Sequence, residues 1–173
     1  MEREINYKNM EIKDKELHRV VSTAIIQKDG KYLILRRSTS KKVFPGRWTV
    51  PGGGLIVDDY TNSPKTTADA WYFAVSNSLK REIKEETGLE TNQLKYPLDL
   101  AFIRPDGVPV VTLSYYGDWK AGDVQLNEES IDYKWVTLDE AKGYDLIEGI
   151  LEEIEMTDKI LKGGDPSEIQ YNY

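Results

Sequence analysis

Between Leu79 and Leu89 the chain reads LKREIKEETGL, in which six of eleven residues are charged and three are glutamates. Trp71, Val75, Leu79 and Ile83 recur at helical spacing, and a stripe of that kind has to be buried against a sheet or another helix. Thr66-Thr67-Ala68-Asp69 reads as a capping box with Thr66 as cap, and Gly88 is a natural stop, so a helix is expected from Thr67 to Thr87. At about 100° per residue, Glu82 and Glu86 fall inside the apolar stripe and Glu85 lies just beside it. The helix therefore brings three carboxylates to its buried side, at the end where the macrodipole favours cations. Positive charge must compensate. Lys80, Arg81 and Lys84 could serve as ion-pair partners, or a bound divalent metal could; a hard cation such as Mg²⁺ or Mn²⁺ takes carboxylate oxygens, which glutamates at i, i+3 and i+4 supply.

The runs on either side indicate what this helix lies on. VVSTAIIQ (Val20 to Gln27) and YLILRRS (Tyr32 to Ser38) are β-rich and are joined by Lys28-Asp29-Gly30, a hairpin signal. A short strand RWTV runs into PGGGL, where Gly52 to Gly54 are expected to form a loop needing backbone freedom or close approach. Further strands are expected near Leu98 to Arg104, from Val108 to Trp119 after a turn at Pro105-Asp106-Gly107, and at YKWVTL. Leu138 to Tyr144 and Asp145 to Leu161 read as helices, the second with Leu146, Ile147, Ile150, Leu151 and Ile154 apolar. This order describes an α+β or mixed α/β domain, a mixed sheet with flanking helices. The expected organisation is a charged lead-in at 1–18, one domain at 19–162 and a polar tail at 163–173.

Composition narrows the function classes. A net charge of −7 gives no general attraction to a phosphate polymer or an anionic membrane, so any phosphate contact must be local and no nucleic-acid polymer is expected as partner. The absence of cysteine excludes disulfides, a thiolate nucleophile and cysteine zinc sites. No run is apolar enough for a signal peptide core or a membrane span, so a cytoplasmic location is expected. His18 is the sole histidine and lies in the charged lead-in.

Residues Arg81 to Leu89, REIKEETGL, are similar over all nine positions to the second half of the Nudix signature, G-x5-E-x7-R-E-U-x-E-E-x-G-U with U aliphatic. PGGG at Pro51 to Gly54 resembles the loop before the helix, with Gly53 as the signature glycine, and residue types from about Arg19 to Lys162 resemble a whole Nudix domain. Asp59, or alternatively Asp58, stands where the family has its first glutamate. The 21 residues from Tyr60 to Lys80 replace seven, an insertion of 14 that is either a lengthened loop and N-terminally extended helix beside the substrate or a tolerated surface insertion.

The resemblance implies an α/β/α sandwich and a pyrophosphohydrolase that uses Mg²⁺ or Mn²⁺ to cleave a nucleoside diphosphate linked to another moiety. It implies Glu85 and Glu86 as main metal ligands, Glu82 as a ligand or water-orienting residue, the Gly53 carbonyl as an additional ligand and Arg81 as a structural partner of a neighbouring carboxylate. Glu82, Glu128 and Glu129 are the candidates for the base, with Asp59 and Glu129 as candidate accessory acids. Such chemistry needs cations to neutralise phosphate charge and a carboxylate to orient or deprotonate water. In LRRSTSKKVFPGRW, Arg37 and Arg47 are candidates for clamping phosphates, and Tyr115, Tyr116, Trp119 and Trp135 are candidates for stacking on a base. The leading expectation is a small nucleotide substrate, a nucleoside triphosphate or its oxidised form, released as monophosphate and pyrophosphate. ADP-ribose, dinucleoside polyphosphates, sugar nucleotides and capped RNA ends stay open, as does a non-hydrolysing nucleotide sensor.

Overall fold

The computed structural model describes residues 17–168. Most of the charged lead-in and the last five residues of the tail therefore lie outside the described residues. The first two strands, β1 (Arg19–Lys28) and β2 (Lys31–Arg37), form the expected hairpin, with Lys28 opposite Lys31. Asp29 (φ 51°) and Gly30 (φ 76°) both adopt the left-handed conformation that a two-residue hairpin turn requires.

Two short strands, β3 (Trp48–Thr49) and β4 (Gly52–Gly54), precede a one-turn helix α1 (Asp58–Thr61) and the long helix α2 (Ala74–Thr87). Then follow β5 (Glu90–Thr91), β6 (Lys95–Ile103), β7 (Pro109–Ala121), β8 (Ser130–Val136), α3 (Leu138–Ala141) and α4 (Ile150–Leu161). The central strands run in the order β2, β1, β7, with β8 beside β2 and β6 beside β7; β3, β4 and β5 extend β2, β1 and β7. β1 and β7 are parallel, from Arg19 opposite Val110 to Gln27 opposite Asp118, and the other pairings are antiparallel, so the sheet is mixed.

Period-2 alternation on β1 and β2 distributes their side chains between two cores. Ile25, Tyr32 and Ile34 point to α4 and meet Leu146, Ile150 and Ile154. Ala24, Ile26, Leu33 and Leu35 point to α2 and meet Leu79, Ile83 and Leu89. The result is the expected α/β/α sandwich, with β1 and β2 buried on both faces.

Four sequence expectations are corrected. The helix expected from Thr67 begins at Ala74, because the hydroxyls of Thr66 and Thr67 accept from the backbone N–H groups of Tyr72 and Ala70 and close turns instead of capping a helix. Trp71 accordingly lies in a loop, its indole N–H donating to the Ser63 carbonyl and its ring packed on Tyr60 at 5.2 Å. Gly52 to Gly54 form β4 instead of a loop: they pair with Val21, Ser22 and Thr23, and a Cβ at Gly52 would collide with the Ser22 carbonyl. The helix expected at Leu138–Tyr144 ends at Ala141, and the one expected from Asp145 starts at Ile150 after Gly149 (φ 92°). Asp145 to Ile147 are held extended, since Trp48 donates to the Asp145 carbonyl and Ile147 donates to the Trp48 carbonyl.

Candidate active site

The C-terminal half of α2 carries the expected carboxylates, and their burial follows the helical stripe. Leu79 and Ile83 are in the core, Glu86 is 8% exposed, Glu82 is half-buried and Glu85 is exposed. Arg81 binds three acids at once: its guanidinium lies 2.7 Å from Asp59, 2.9 Å from Glu82 and 2.7 Å from Glu85. Asp59 is itself fixed by the Ile56 N–H at 2.9 Å and the Ser78 hydroxyl at 2.8 Å. Burial alone would raise the Asp59 carboxyl, but these donors and Arg81 hold it below the ordinary aspartate range. Asp59, not Asp58, thus occupies the place opposite Arg81; Asp58 is exposed.

Glu86 accepts from the Gly52 N–H at 3.0 Å, which ties β4 to the helix. Burial raises Glu86 to about 8, against the Gly52 N–H; Glu82 and Glu129 add to the rise and Arg37 opposes it. Glu82 is raised as well, by burial first, with Arg81 pulling it down and Glu85 and Glu129 pushing it up. Gly53 lies so close to the Glu82 carboxyl that a Cβ there would overlap it. A glycine is required at that position by close approach, since its own φ is ordinary.

Next to this cluster, a cavity of about 460 Å³ opens between the sheet and the N-terminal end of α4. Glu86, Glu129 and Arg37 line it together with Leu100, Phe102 and Ile150. Arg37 donates to the Val43 carbonyl at 3.2 Å; burial lowers its pKa, while Glu86 and Glu129 support its charge. Glu129 pairs with Lys41 at 2.6 Å, whereas Glu128 is exposed and does not line the cavity. Arg47 also lines the cavity, but its guanidinium is engaged by Asp145 at 3.0 Å and by the Leu146 carbonyl. It braces the segment leading into α4.

The four aromatic residues expected as stacking candidates do not line this cavity. Tyr116 is in the α4-side core, and Tyr115, Trp119 and Trp135 pack on the α2 side of the sheet. The aromatic rings that do line it are Phe44 and Phe102. Residues 55–80, which include the insertion, contribute nothing to the lining.

Among the described residues no three acidic side chains converge as a ready-made ion cage, because Arg81 draws Glu82 and Glu85 toward itself and Gly52 holds Glu86. The donor set nonetheless fits a hard dication. Three glutamates within two helical turns supply carboxylate oxygens, and Glu86, buried and raised first by that burial and then by Glu82 and Glu129, has no ion-pair partner among the described residues.

The model of the NUDIX domain matches residues 16–156, so the chain belongs to the Nudix family of hydrolases. It is 30% identical over 139 residues to the nucleoside triphosphatase NudI of Klebsiella pneumoniae (strain 342), an alignment covering 74% of this chain and 88% of that protein. NudI of Escherichia coli O81 (strain ED1a) is 28% identical over 138 residues, with the same coverage. Among solved structures, the MutT protein from Methanosarcina mazei Go1 superposes with a TM-score of 0.65 at 24% identity, covering 86% of this chain and 98% of that one. The NUDIX domain of Shewanella oneidensis NrtR, complexed with ADP ribose, gives a TM-score of 0.65 at 20% identity, covering 89% and 95%. These two likenesses establish the fold.

Several cavity residues carry no motif: Thr23, Thr112, Leu100, Phe102 and Glu153. One signal was available for the last of these. Glu153 sits between Ile150 and Ile154 on the buried face of α4, the same anomaly that marks Glu82 and Glu86 on α2.

Proposed function

We propose that this protein hydrolyses a nucleoside triphosphate, or an oxidised form of one, to the monophosphate and pyrophosphate. The observation that carries the reading is that buried Glu86, together with Glu129 and Arg37, faces an apolar-walled cavity on the α4 side of the sheet. A volume of about 460 Å³ lies toward the small end of ligand cavities and suits one base and sugar better than two. The name of the NudI relatives, nucleoside triphosphatase, points the same way.

In this reading Glu82, Glu85, Glu86 and the Gly53 carbonyl would hold Mg²⁺ or Mn²⁺, which when bound neutralises phosphate charge and makes a coordinated water more acidic. Arg81, anchored by Asp59, is a positioning residue that holds Glu82 and Glu85 in register. Arg37 faces the phosphates alongside Glu86, while Arg47 keeps the cavity wall in place. A water adds to a phosphorus of the α–β anhydride, Glu82 or Glu129 takes its proton, and the bridging P–O bond breaks to release pyrophosphate.

The test is pyrophosphate and phosphate release from nucleoside triphosphates, oxidised triphosphates, ADP-ribose, dinucleoside polyphosphates and sugar nucleotides, with Mg²⁺ or Mn²⁺ and with chelator. Pyrophosphate from a triphosphate, lost with chelator and reduced at least about 100-fold in Glu85→Gln and Glu86→Gln, is the expected result. Turnover confined to ADP-ribose or dinucleotides would overturn the substrate assignment, and binding without turnover would replace the hydrolase with a sensor.

A further inference from the structure

Glu153 is 5% exposed and lines the cavity from α4, yet it lies outside the glutamate cluster of α2. The charges acting on Glu86 are those of Glu82, Glu129 and Arg37, whereas the one acting on Glu153 is its own neighbour Glu152. Gly52 of β4 holds Glu86 and Ser114 of β7 holds Glu153, so the two carboxyls are tied to different strands around one cavity.

The Ser114 hydroxyl donates to Oε2 of Glu153 at 2.6 Å, across the gap between β7 and α4. That bond fixes the carboxyl and leaves Oε1 without a hydrogen bond from any described residue. Around it the sheet presents further polar groups within an otherwise apolar wall. Thr112 lies two residues before Ser114 on the same face of β7, and Thr23, directly opposite Ser114 on β1, also lines the cavity. The Thr23 hydroxyl is buried and has no hydrogen-bond partner among the described residues. Buried polar groups without partners are rare, and a carboxyl in such a wall is costly unless something completes its hydrogen bonding.

We propose that Glu153, oriented by Ser114, is the specificity-determining residue of this cavity and accepts a hydrogen bond from an N–H on the edge of a nucleobase lying between Leu100, Phe102 and Ile150. The assignment rests on the nucleotide reading above. It requires a flat, largely apolar ring with a polar rim, and the wall supplies both surfaces: Phe102 and the aliphatic chains for the faces, Glu153, Thr23 and Thr112 for the rim. A site built to pair a polar edge rejects an analogue that leaves its buried group unpaired.

The experiment measures calorimetric Kd values of AMP, GMP, CMP and UMP for the wild type, Glu153→Gln and Ser114→Ala, beside hydrolysis of the four triphosphates and thermal melts. The wild type should separate its best base from its worst by about tenfold or more. In Glu153→Gln the Ser114 hydroxyl still has a carbonyl oxygen to bind, which turns the amide NH₂ toward the ligand, donor against donor. The best base should weaken by about tenfold while the worst changes less than about threefold, and Ser114→Ala should compress the ranking in the same direction. If all four bases weaken together and their ranking survives, Glu153 serves packing alone and the proposal falls. Should Glu153→Gln fail to fold, the ranking in Ser114→Ala decides. A wild type that turns over triphosphates without distinguishing bases overturns this inference but leaves the hydrolase intact; one that neither binds nor cleaves any of them or their oxidised forms overturns both.

Discussion

Asp59 and Arg81 meet at 2.7 Å although 21 residues separate them in sequence, so a carboxylate ahead of the insertion grips the guanidinium that follows it. The contact is almost fully covered on the Asp59 side, at 3% exposure, and half-open on the Arg81 side, at 37%. Asp59→Asn keeps the shape and removes the charge. It should cost about 1–3 kcal/mol of stability and lower kcat more than KM, because Arg81 no longer holds Glu82 and Glu85 in place. The pH dependence adds a signature. The Asp59 carboxyl is held low in the folded state, so its stabilisation is present above the unfolded aspartate value and is lost as pH falls through the folded one. The gap in melting temperature between wild type and Asp59→Asn should close below about pH 4, near the unfolded aspartate value.

Gly52 and Gly53 separate stability from chemistry. At Gly52 a Cβ would strike the backbone of Ser22 and Thr23, which cannot move without breaking β1, so Gly52→Ala should destabilise by about 3 kcal/mol or fail to fold. At Gly53 the obstacle is the flexible carboxyl of Glu82. Gly53→Ala should melt within a few degrees of wild type, about 1 kcal/mol, while turnover falls at least about tenfold because Glu82 is displaced. Equal losses of stability in the two variants would refute the distinction.

Phe73 precedes α2 with φ 60° and is 77% exposed, so its side chain gains little from burial while its backbone sits in the left-handed region. Phe73→Gly should relieve that strain and raise stability by about 0.5–1 kcal/mol, read as a higher melting temperature with unchanged kcat. A lower melting temperature would mean that the ring is engaged in holding the insertion.

Burial raises the Glu153 carboxyl to about 7, with Glu152 adding to the rise and the Ser114 hydroxyl opposing it. A group that binds its proton more tightly when folded withdraws stability as pH climbs from the unfolded to the folded value. Between about pH 4.5 and 7 Glu153 should therefore withdraw about 3 kcal/mol, and Glu153→Gln should flatten that part of the stability profile. Glu86 contributes a slope of the same sign, so the variant changes the steepness and does not abolish the trend.

The layered fold was legible because residue type and hydrophobic spacing are local properties: the β-rich apolar runs that become β1 and β2 and the helical stripe of Val75, Leu79 and Ile83 are read directly along the chain. The positions of Glu82 and Glu86 on that stripe were legible for the same reason, and their burial follows it. Helix starts were not. Thr66 has the chemistry of a cap, but whether its hydroxyl binds the first turn of a helix or a neighbouring N–H depends on where Trp71 and Tyr60 pack, and that is settled in three dimensions. The same holds for choosing between Glu128 and Glu129, which differ only in the direction each faces as β8 begins. The cavity's apolar wall draws residues from β1, β2, β6 and α4, a union that no local pattern announces.

Most of the lengthened segment from Tyr60 to Lys80 lies between Asp59 and Ser78, two residues joined by a 2.8 Å hydrogen bond, so the chain leaves and returns at one point in space. What must be conserved there is the separation of two atoms; contour length is free. A signature that counts residues between its glycine and its arginine treats a spatial constraint as a sequential one, and chains like this one, with a complete second half and a stretched middle, are those such counting would pass over.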